Sequence, residues 1–311
     1  MTYFGVCYSP YRIGSDSDWE GKVTPATVEA DMNNIVKMGF THIRTYAVHN
    51  GNQWNVEKAL AHKLKFALGV WMRGLKHSDW ETWNKEQIDF ALKQVKLSAN
   101  GAPIALDLVI GNEVDRDDND IYTAEIISKA MAYAKQQRQA VPNLKARVTT
   151  CFSGTVAADT RTSQWTNIIQ KECEEVVYLT VYPWYGQGDQ WEKRSTPMNP
   201  NNIDPQMAWS FNEGGIRNVT QWAFKEVVIA EIGWPSAGKP KWATKDWSAT
   251  PQNEKANLAT TRTWFAKNNW NKGNTPFSAY WFSMFDEPWK TAEGTQGPHW
   301  GVLDKDGNPK W

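Results

Sequence analysis

Cysteine is scarce in this sequence, and neither sign of charge prevails. The 311 residues contain three Cys, at positions 7, 151 and 173, and an odd number without close spacing argues against a disulfide framework. Cys7 and Cys151 lie in predicted strands, where we expect them to be small core residues. Lys and Arg total 34, as do Asp and Glu, with no basic cluster. The sequence therefore lacks the electrostatic footprint of a nucleic-acid-binding protein.

Long hydrophobic runs are also absent. No run approaches the roughly 18 apolar residues that a membrane-spanning helix requires, so no membrane span is predicted. The first predicted strand begins at Tyr3, and no signal peptide precedes it. This pattern fits a cytoplasmic chain or one from which a leader has been removed.

Motifs that bind phosphates or metals are missing as well. No Gly-x-Gly-x-x-Gly follows the first strand and no Gly-Lys-Ser/Thr loop occurs, which argues against nucleotide binding. No Gly-rich phosphate loop follows the last strands, which argues against a barrel of the sugar-phosphate isomerase kind. The five His show no metal-ligand spacing, and the acidic run 115–120 lacks the Gly and the distal Glu of an EF-hand loop. We predict no metal and no cofactor, and we interpret the run as a solvated turn.

Tryptophan, by contrast, is abundant, with 19 residues. An indole combines a large apolar face with a polar N–H edge. Sugar rings have the matching combination of apolar faces and polar rims, so exposed Trp side chains suit carbohydrate binding. Roughly half of the Trp are expected in the core instead.

Short apolar segments alternate with segments of helical periodicity along the whole chain. Thr24-Pro25 and Thr250-Pro251 are typical helix starts, with a capping Thr followed by Pro in the first turn. Further helices are predicted over 163–171 and over 206–224, the latter with a weak spot at Gly214-Gly215. The alternation predicts an α/β protein, a single (β/α)8 TIM barrel spanning residues 1–311. The predicted strands are 3–9, 41–47, 65–72, 104–112, 146–152, 176–182, 227–232 and 277–284.

Two glutamates stand at the ends of predicted strands. Glu113 follows the fourth strand, and Glu231 lies near the end of the seventh. The carboxyl ends of the strands form the rim of a barrel that carries the chemistry, and these two tips can face each other across the mouth. A lone Glu at a strand end is more often part of an ion pair. Two at corresponding tips predict the acid/base and nucleophile of a retaining glycosidase.

Several motifs resemble those of glycoside hydrolase family 17, the β-1,3-glucanases and β-1,3-glucanosyltransferases. Gly111–Val114 resembles the acid/base motif of that family, Glu231–Ser236 is similar to its nucleophile motif, and Met284–Lys290 resembles its third signature. The segments occur in the family's order from the first strand to the C-terminus, so the resemblance covers the whole chain. Further similar segments are Gly5–Tyr8, Arg44–Tyr46, Tyr182-Pro183 and His299–Leu303.

The resemblance implies a role for each residue at the barrel mouth. Glu113 would be the acid/base and Glu231 the nucleophile, while Asn112 would bind the sugar 2-hydroxyl. Tyr182 would be hydrogen-bonded to Glu231. Lys290 would stabilise the ionised nucleophile, the alternative being a surface lysine. The predicted substrate-binding residues are Tyr46, Asn112, Tyr182, Trp184, Trp234, Phe285, Glu287, Trp289 and Lys290.

Three of these residues, Trp184, Trp234 and Trp289, are the candidates for sugar-stacking platforms. Trp281, in contrast, alternates within the last predicted strand and is expected to pack in the core.

We therefore expect a retaining endo-β-1,3-glucanase that hydrolyses laminarin-type glucan through a covalent glycosyl-enzyme intermediate. The alternative on the same glutamates is a β-1,3-glucanosyltransferase, in which a sugar hydroxyl replaces water, and an acceptor-side aromatic such as Trp289 would favour it. A non-catalytic glucan-binding protein is a third possibility, but such proteins commonly lose a carboxylate. The resemblance further implies β-1,3-glucan as the partner, a monomer, and a secreted or periplasmic location.

Overall fold

The computed structural model describes residues 2–15, 17–116, 120–153, 164–186, 199–243, 247 and 249–311. These residues form one sheet in which every strand pairs in parallel with its neighbours. The strands are β1 (Phe4–Cys7), β2 (His42–Arg44), β3 (Lys65–Val70), β4 (Ile104–Ile110), β5 (Leu144–Thr149), β6 (Cys151–Ser153), β7 (Val176–Thr180), β8 (Glu226–Ile232) and β9 (Ser278–Trp281).

The sheet closes on itself through a single residue. Its strand order is β5-β4-β3-β2-β1-β9-β8-β7-β6, and only Thr150 separates the two terminal strands, β5 and β6, in the chain. The Thr150 carbonyl accepts a hydrogen bond from Tyr178 N (3.2 Å), and its hydroxyl donates to Ile110 O (2.6 Å). β5 and β6 thus act as one interrupted strand, and the predicted (β/α)8 barrel is confirmed.

Helices cover the outside of the barrel, and two begin as predicted. The Thr24 and Thr250 side chains accept from backbone N–H groups three residues later, with Pro at the first helical position. In the described ranges no helix combines the length and apolarity needed to cross a membrane. The α-helices are α1 (Pro25–Lys37), α2 (Asn55–Ala61), α3 (Trp80–Ala99), α4 (Ala124–Arg138), α5 (Asp204–Asn212) and α6 (Pro251–Lys267).

Two predicted helices differ from the structure. The helix predicted over 206–224 is divided into α5 and a π-helical turn, Asn218–Trp222, with Gly215 in the left-handed region (φ 83°) between them. The weak spot at the glycine pair therefore breaks the helix, because a glycine adopts this conformation without a steric penalty. The helix predicted over 163–171 is a π-helical turn, Ile168–Glu172, and Ser163 lies outside the described residues.

Polar side chains close the amino end of the barrel interior. Arg147 pairs with Asp107 (Nε–Oδ1 2.6 Å) and with Glu226 (Nη1–Oε2 2.7 Å). The Tyr178 hydroxyl donates to the other oxygen of Asp107 at 2.7 Å. Glu226, at the start of β8, is thus tied to a structural network at the end of the barrel opposite to Glu231.

The core contains the residues that the sequence placed there, together with others it did not. Cys7 and Cys151 are buried and Trp281 is completely buried, which confirms these predictions. Cys173 is buried as well, and all three thiols are free. Trp184 and Trp234 are also completely buried.

A lysine near the C-terminus joins two loops at the carboxyl end of the barrel. Lys310 Nζ lies 2.6 Å from Ser236 Oγ, in the loop after β8, and 2.9 Å from Asp286 Oδ1, in the segment after β9. It also lies 3.2 Å from Glu254 Oε2 on α6. Burial raises the pKa of Glu254 well above its ordinary value, and the charge of Lys310 opposes that rise.

We expect the Lys310→Met variant to lose about 1–3 kcal/mol of unfolding free energy, because the buried Ser236 and Asp286 side chains would lose their donor. Urea denaturation at neutral pH measures the loss. Lys305→Met is the matched control, since Lys305 pairs with Asp306 in solvent and should change stability by less than about 0.5 kcal/mol. Equal losses of stability in Lys310→Met and Lys305→Met would contradict a stabilising role for Lys310.

Candidate active site

The carboxyl ends of the parallel strands bring polar side chains from distant parts of the sequence into one cluster. Arg44 ends β2, Thr180 ends β7, and Glu231 is the penultimate residue of β8. Glu113 follows β4 by three residues, and Tyr182 follows β7 by two. All of these positions lie at the same end of the barrel, where ligands bind in this fold.

An irregularity in β8 turns Glu231 toward the interior. The pairing of β7 with β8 shifts register, so that Leu179 pairs with Ile229 but Thr180 pairs with Glu231. The extra residue, Ala230, reverses the alternation of side chains and directs Glu231 to the face that Thr180 occupies. The Thr180 hydroxyl donates to Glu113 Oε1 at 2.5 Å. One residue of β7 is therefore the pairing partner of one glutamate and the hydrogen-bond donor of the other.

Three side chains hold Glu231 as a carboxylate. Arg44 Nη1 lies 2.6 Å from Oε1, which also accepts from the Tyr46 hydroxyl at 2.9 Å. The Tyr182 hydroxyl donates to Oε2, as the sequence implied. Burial alone would raise the pKa of Glu231. The charge of Arg44 and the three hydrogen-bond donors outweigh it, so the pKa lies below its ordinary value.

Glu113 has the opposite electrostatic character. Burial, together with the negative charge of Glu231, raises its pKa to about 7, against smaller opposing effects of Arg116 and Thr180. Arg116 Nη1 lies 3.2 Å from Oε2 and is half exposed. The backbone of Glu113 is left-handed (φ 44°), a conformation that costs a non-glycine residue about 1–3 kcal/mol. A carboxyl group with a raised pKa thus lies within the electrostatic influence of one with a lowered pKa.

Arg44 also orients Asn112. Its second terminal nitrogen, Nη2, donates to Asn112 Oδ1, and its Nη1 also approaches Ala230 O at 3.4 Å. Because a guanidinium can only donate, the Asn112 oxygen must face Arg44 and its amide NH2 group points elsewhere. No function was predicted for Arg44 from the sequence. The signal available was a charged residue within a short apolar strand segment, since such a residue is rarely buried without a partner.

The segment after β9 contributes an ion pair beside this cluster. Lys290 Nζ lies 2.6 Å from Glu287 Oε2, and the ammonium group sits over the Phe282 ring, 4.7 Å from its centre. Burial lowers the pKa of Lys290, but the negative charge of Glu287 outweighs it, so the pKa is raised overall. The Oε1 atom of Glu287 is buried and has no hydrogen-bond partner among the described residues.

The predicted aromatic platforms divide into buried and exposed rings. Trp184 donates from its indole nitrogen to Trp247 O (2.8 Å) within the core, and Trp234 is equally inaccessible. Phe285 is buried beside Tyr8. These three are corrected to core residues, because a fully buried ring has no face to offer a sugar. Trp289 is 40% exposed, with its indole nitrogen donating to Tyr11 O at 3.0 Å.

Acidic groups elsewhere do not form an evident metal centre. Across the described part of the chain, no three His, Cys, Asp or Glu side chains are grouped to hold a metal ion. Asp120 accepts hydrogen bonds from Gly74 N (2.8 Å) and Ile121 N (2.9 Å), so it stabilises two loops. Residues 117–119 of the predicted acidic turn lie outside the described residues.

The barrel and its pair of differently protonated glutamates define the class of protein, a (β/α)8 glycoside hydrolase. The chain belongs to the BtgE/BtgC glycoside hydrolase domain family, whose model matches residues 5–301.

Curated relatives carry similar descriptions. The chain is 24% identical over 237 residues to "Probable beta-glucosidase btgE" of Aspergillus flavus, a match that covers 75% of the chain. It is 26% identical over 262 residues to "Probable glucan endo-1,3-beta-glucosidase btgC" of Aspergillus clavatus, with 80% of the chain covered. The matches cover 33% of each relative, so the chain spans about a third of their length.

Solved structures share the fold at low sequence identity. One is an active-site mutant of Rhizomucor miehei β-1,3-glucanosyltransferase in complex with laminaritriose (TM-score 0.65, 19% identity, covering 99% of this chain and 95% of that one). Another is CJP38, a β-1,3-glucanase and allergen of Cryptomeria japonica pollen (TM-score 0.70, 17% identity, 99% and 98% covered). With the family match, they confirm the resemblance found in the sequence.

The two pKa shifts predict a bell-shaped dependence of kcat/KM on pH. If Glu113 acts as the acid, activity falls as the pH rises through about 7, because the proton is lost. If Glu231 must be ionised, activity falls only when the pH drops below the ordinary carboxyl range.

Tyr182→Phe tests this dependence, because it removes one donor to Glu231 and should move the acid limb up by about 1–2 pH units. Initial rates on a soluble glucan across the pH range measure both limbs. Tyr133→Phe, which removes a surface hydrogen bond to Asp89, is the control and should leave them in place. An acid limb that does not move in Tyr182→Phe would contradict the role of this hydroxyl.

Proposed function

We propose that this protein is a retaining glycosidase that cleaves within β-1,3-glucan chains, with Glu113 as acid/base and Glu231 as nucleophile. The observation that carries the proposal is the contrast between the two glutamates. Glu231 has a lowered pKa and Glu113 a raised one, although both lie at the same barrel mouth. Such a contrast is the usual division between a nucleophile and an acid on one fold.

In the first step, Glu231 attacks the anomeric carbon and the glycosidic bond breaks. Oε1 of Glu231 accepts two hydrogen bonds and Oε2 accepts one, so Oε2 retains a lone pair for the attack. Glu113 gives its proton to the departing oxygen, which leaves a glucosyl ester on Glu231 and a carboxylate at Glu113. Loss of the negative charge on Glu231 removes the Coulomb repulsion that raises the pKa of Glu113.

In the second step, Glu113 acts as a base. It takes a proton from water, whose oxygen attacks the anomeric carbon, and Glu231 leaves as a carboxylate that Arg44 again stabilises. Two displacements at the same carbon retain its configuration.

One polar group near the glutamates is available for a sugar hydroxyl. The amide NH2 group of Asn112 remains to donate to the 2-hydroxyl, because Arg44 holds its oxygen. Glu287, whose Oε1 is buried, acts on the site by holding Lys290 through its other oxygen. Lys290 adds positive charge near the nucleophile, and Tyr46 and Tyr182 line the reacting-sugar site.

The choice of substrate is supported by the relatives. The family resemblance, a relative described as a glucan endo-1,3-β-glucosidase, and the two solved structures all concern β-1,3-glucan. Another relative is described as a probable β-glucosidase. We further infer that residues 1–311 form one catalytic domain that acts as a monomer outside the cytoplasm, where a polymeric glucan is accessible.

A second candidate, a β-1,3-glucanosyltransferase, uses the same glutamates. It is favoured by the 40% exposure of Trp289, which offers an aromatic face beside the Glu287–Lys290 pair. If an acceptor sugar stacks there, its hydroxyl competes with water for the glucosyl ester. A purely glucan-binding protein is less well supported, because both carboxyl groups and the Arg44 ion pair are intact.

We expect substitution of the two glutamates to reduce activity to different extents on substrates with different leaving groups. Glu231→Gln should abolish cleavage of both laminari-oligosaccharides and dinitrophenyl β-laminaribioside, because no ester forms. Glu113→Gln should lose about 10²–10⁴-fold on the oligosaccharide and much less on the release of dinitrophenolate, which needs no proton. Chromatography and absorbance measure the two reactions.

Glu226→Gln is the matched control for both variants, since Glu226 belongs to the network at the opposite end of β8. It should retain activity on both substrates. If Glu231→Gln were as active as this control, the assignment of the nucleophile would be wrong.

We expect Trp289→Ala to lower the ratio of transfer to hydrolysis, because the acceptor loses its stacking surface. Chromatography of the products from laminaripentaose separates longer chains, which arise by transfer, from shorter ones. Trp289→Phe keeps an aromatic face and should retain more of the transfer. An unchanged ratio in Trp289→Ala would argue against an acceptor site at this ring, and glucose as the sole early product would indicate action at chain ends.

A further inference from the structure

An exposed apolar patch lies at the mouth of the barrel, on the side of β3 and β4. Trp71 is 37% exposed, Leu75 54% and Ile121 43%. They are three of the eight large hydrophobic side chains that are exposed among the described residues. All three lie in the loops that follow β3 and β4, and we call them the Trp71 patch. Clustering of exposed apolar residues at one place is typical of a binding surface.

The two loops that carry the patch are fixed to each other. Leu75 N donates to Ile121 O (2.9 Å), and Gly74 N donates to the carboxylate of Asp120 (2.8 Å). The hydroxyl of Tyr122, beside Ile121, donates to Met72 O (2.8 Å). The apolar side chains therefore stand on a backbone that hydrogen bonds on both loops hold in place.

The register of the sheet directs the Trp71 side chain toward the barrel mouth. Arg44, which points to the catalytic cluster, pairs with Ala67 of β3, and paired residues share a face. Alternation then puts the side chain of Trp71, four residues after Ala67, on that same face.

The neighbouring strand connects Trp71 to the catalytic residues. Val70 pairs with Ile110, and Gly111 N donates to Val70 O at 2.9 Å, so Trp71 stands beside Gly111. A Cβ on Gly111 would meet Val114 and Met72, on the side away from Trp71, and the next two residues are Asn112 and Glu113. The patch is thus continuous with the catalytic cluster.

The indole of Trp71 has no partner in the part of the chain that the structure describes. It makes no side-chain hydrogen bond and no ring contact with the described residues, whereas most of the other Trp rings at this end pack against aromatic neighbours. A large aromatic face left open beside a glycosidase site matches the apolar face of a glucosyl ring.

We propose that the Trp71 patch is a stacking site for glucosyl units of the substrate chain, beyond the sugar that reacts. This inference rests on the proposed function and deepens it, because it assigns a surface that favours long chains over short ones. Leu75 and Ile121 extend the apolar contact past Trp71. The occupant is a β-1,3-glucan chain, since the patch continues the surface on which that chain is cleaved.

Steady-state kinetics on laminari-oligosaccharides of increasing length test the proposal. Trp71→Ala should raise KM for the hexasaccharide about tenfold, which is the effect of losing one aromatic stacking contact. The value of kcat and the length of the shortest oligosaccharide that is cleaved should change little. Trp71→Phe should recover part of the affinity. Phe224→Ala is the control, because Phe224 is 68% exposed just before β8, at the opposite end of the barrel, and it should leave every KM unchanged.

Other outcomes overturn one inference without the other. An equal KM for wild type and Trp71→Ala at every length overturns the stacking site while the glucanase stands. A wild type that cleaves no β-1,3-glucan overturns the proposed function. Calorimetry then measures whether laminarihexaose binds to the Trp71 patch. Binding that is present in the wild type and lost in Trp71→Ala would still support the stacking site. A wild-type dimer that becomes a monomer in Trp71→Ala, measured by sedimentation, would make the patch a protein interface instead.

Discussion

The buried ion pair between Arg44 and Glu231 sets the protonation states on which the site depends. A carboxyl group enclosed in a barrel would ordinarily be neutral, because burial penalises its charge. Arg44, itself 1% exposed, lies 2.6 Å from Glu231 and keeps it ionised. That negative charge in turn helps to raise the pKa of Glu113. One guanidinium thus supports the ionised state of the first glutamate directly and the protonated state of the second indirectly.

The barrel provides the geometry that this electrostatic arrangement needs. Arg44, Thr180 and Glu231 come from three strands that are distant in sequence, and the parallel sheet brings their carboxyl ends together. The shift at Ala230 then turns Glu231 inward, opposite Thr180. Away from the site, Lys310 connects the loops after β8 and β9 to α6, so these two loops near the nucleophile are fixed to a helix on the outside of the barrel.

The sequence was most informative where a residue's role depends on its position in a strand. Glu113 and Glu231 follow apolar segments, so the barrel and the meeting of the two glutamates could be predicted. The sequence was less informative where tertiary packing decides. Trp184 and Trp234 were predicted to stack on sugars because they are tryptophans near strand ends, but they lie in the core. Trp71, within a predicted strand, is exposed. Arg44 was overlooked because its partners are 68 and 187 residues away, beyond any local pattern.

Because Arg44 keeps Glu231 ionised, we expect this carboxylate to form a covalent ester with the sugar. The most direct measurement is mass spectrometry of peptides after reaction with a 2-deoxy-2-fluoro-β-laminaribiosyl donor bearing a dinitrophenolate leaving group. The fluorine slows breakdown of the ester, so we predict one fluoro-laminaribiosyl unit on the peptide that contains Glu231. A label on Glu113, or turnover of laminari-oligosaccharides to products of inverted configuration with no label, would contradict it.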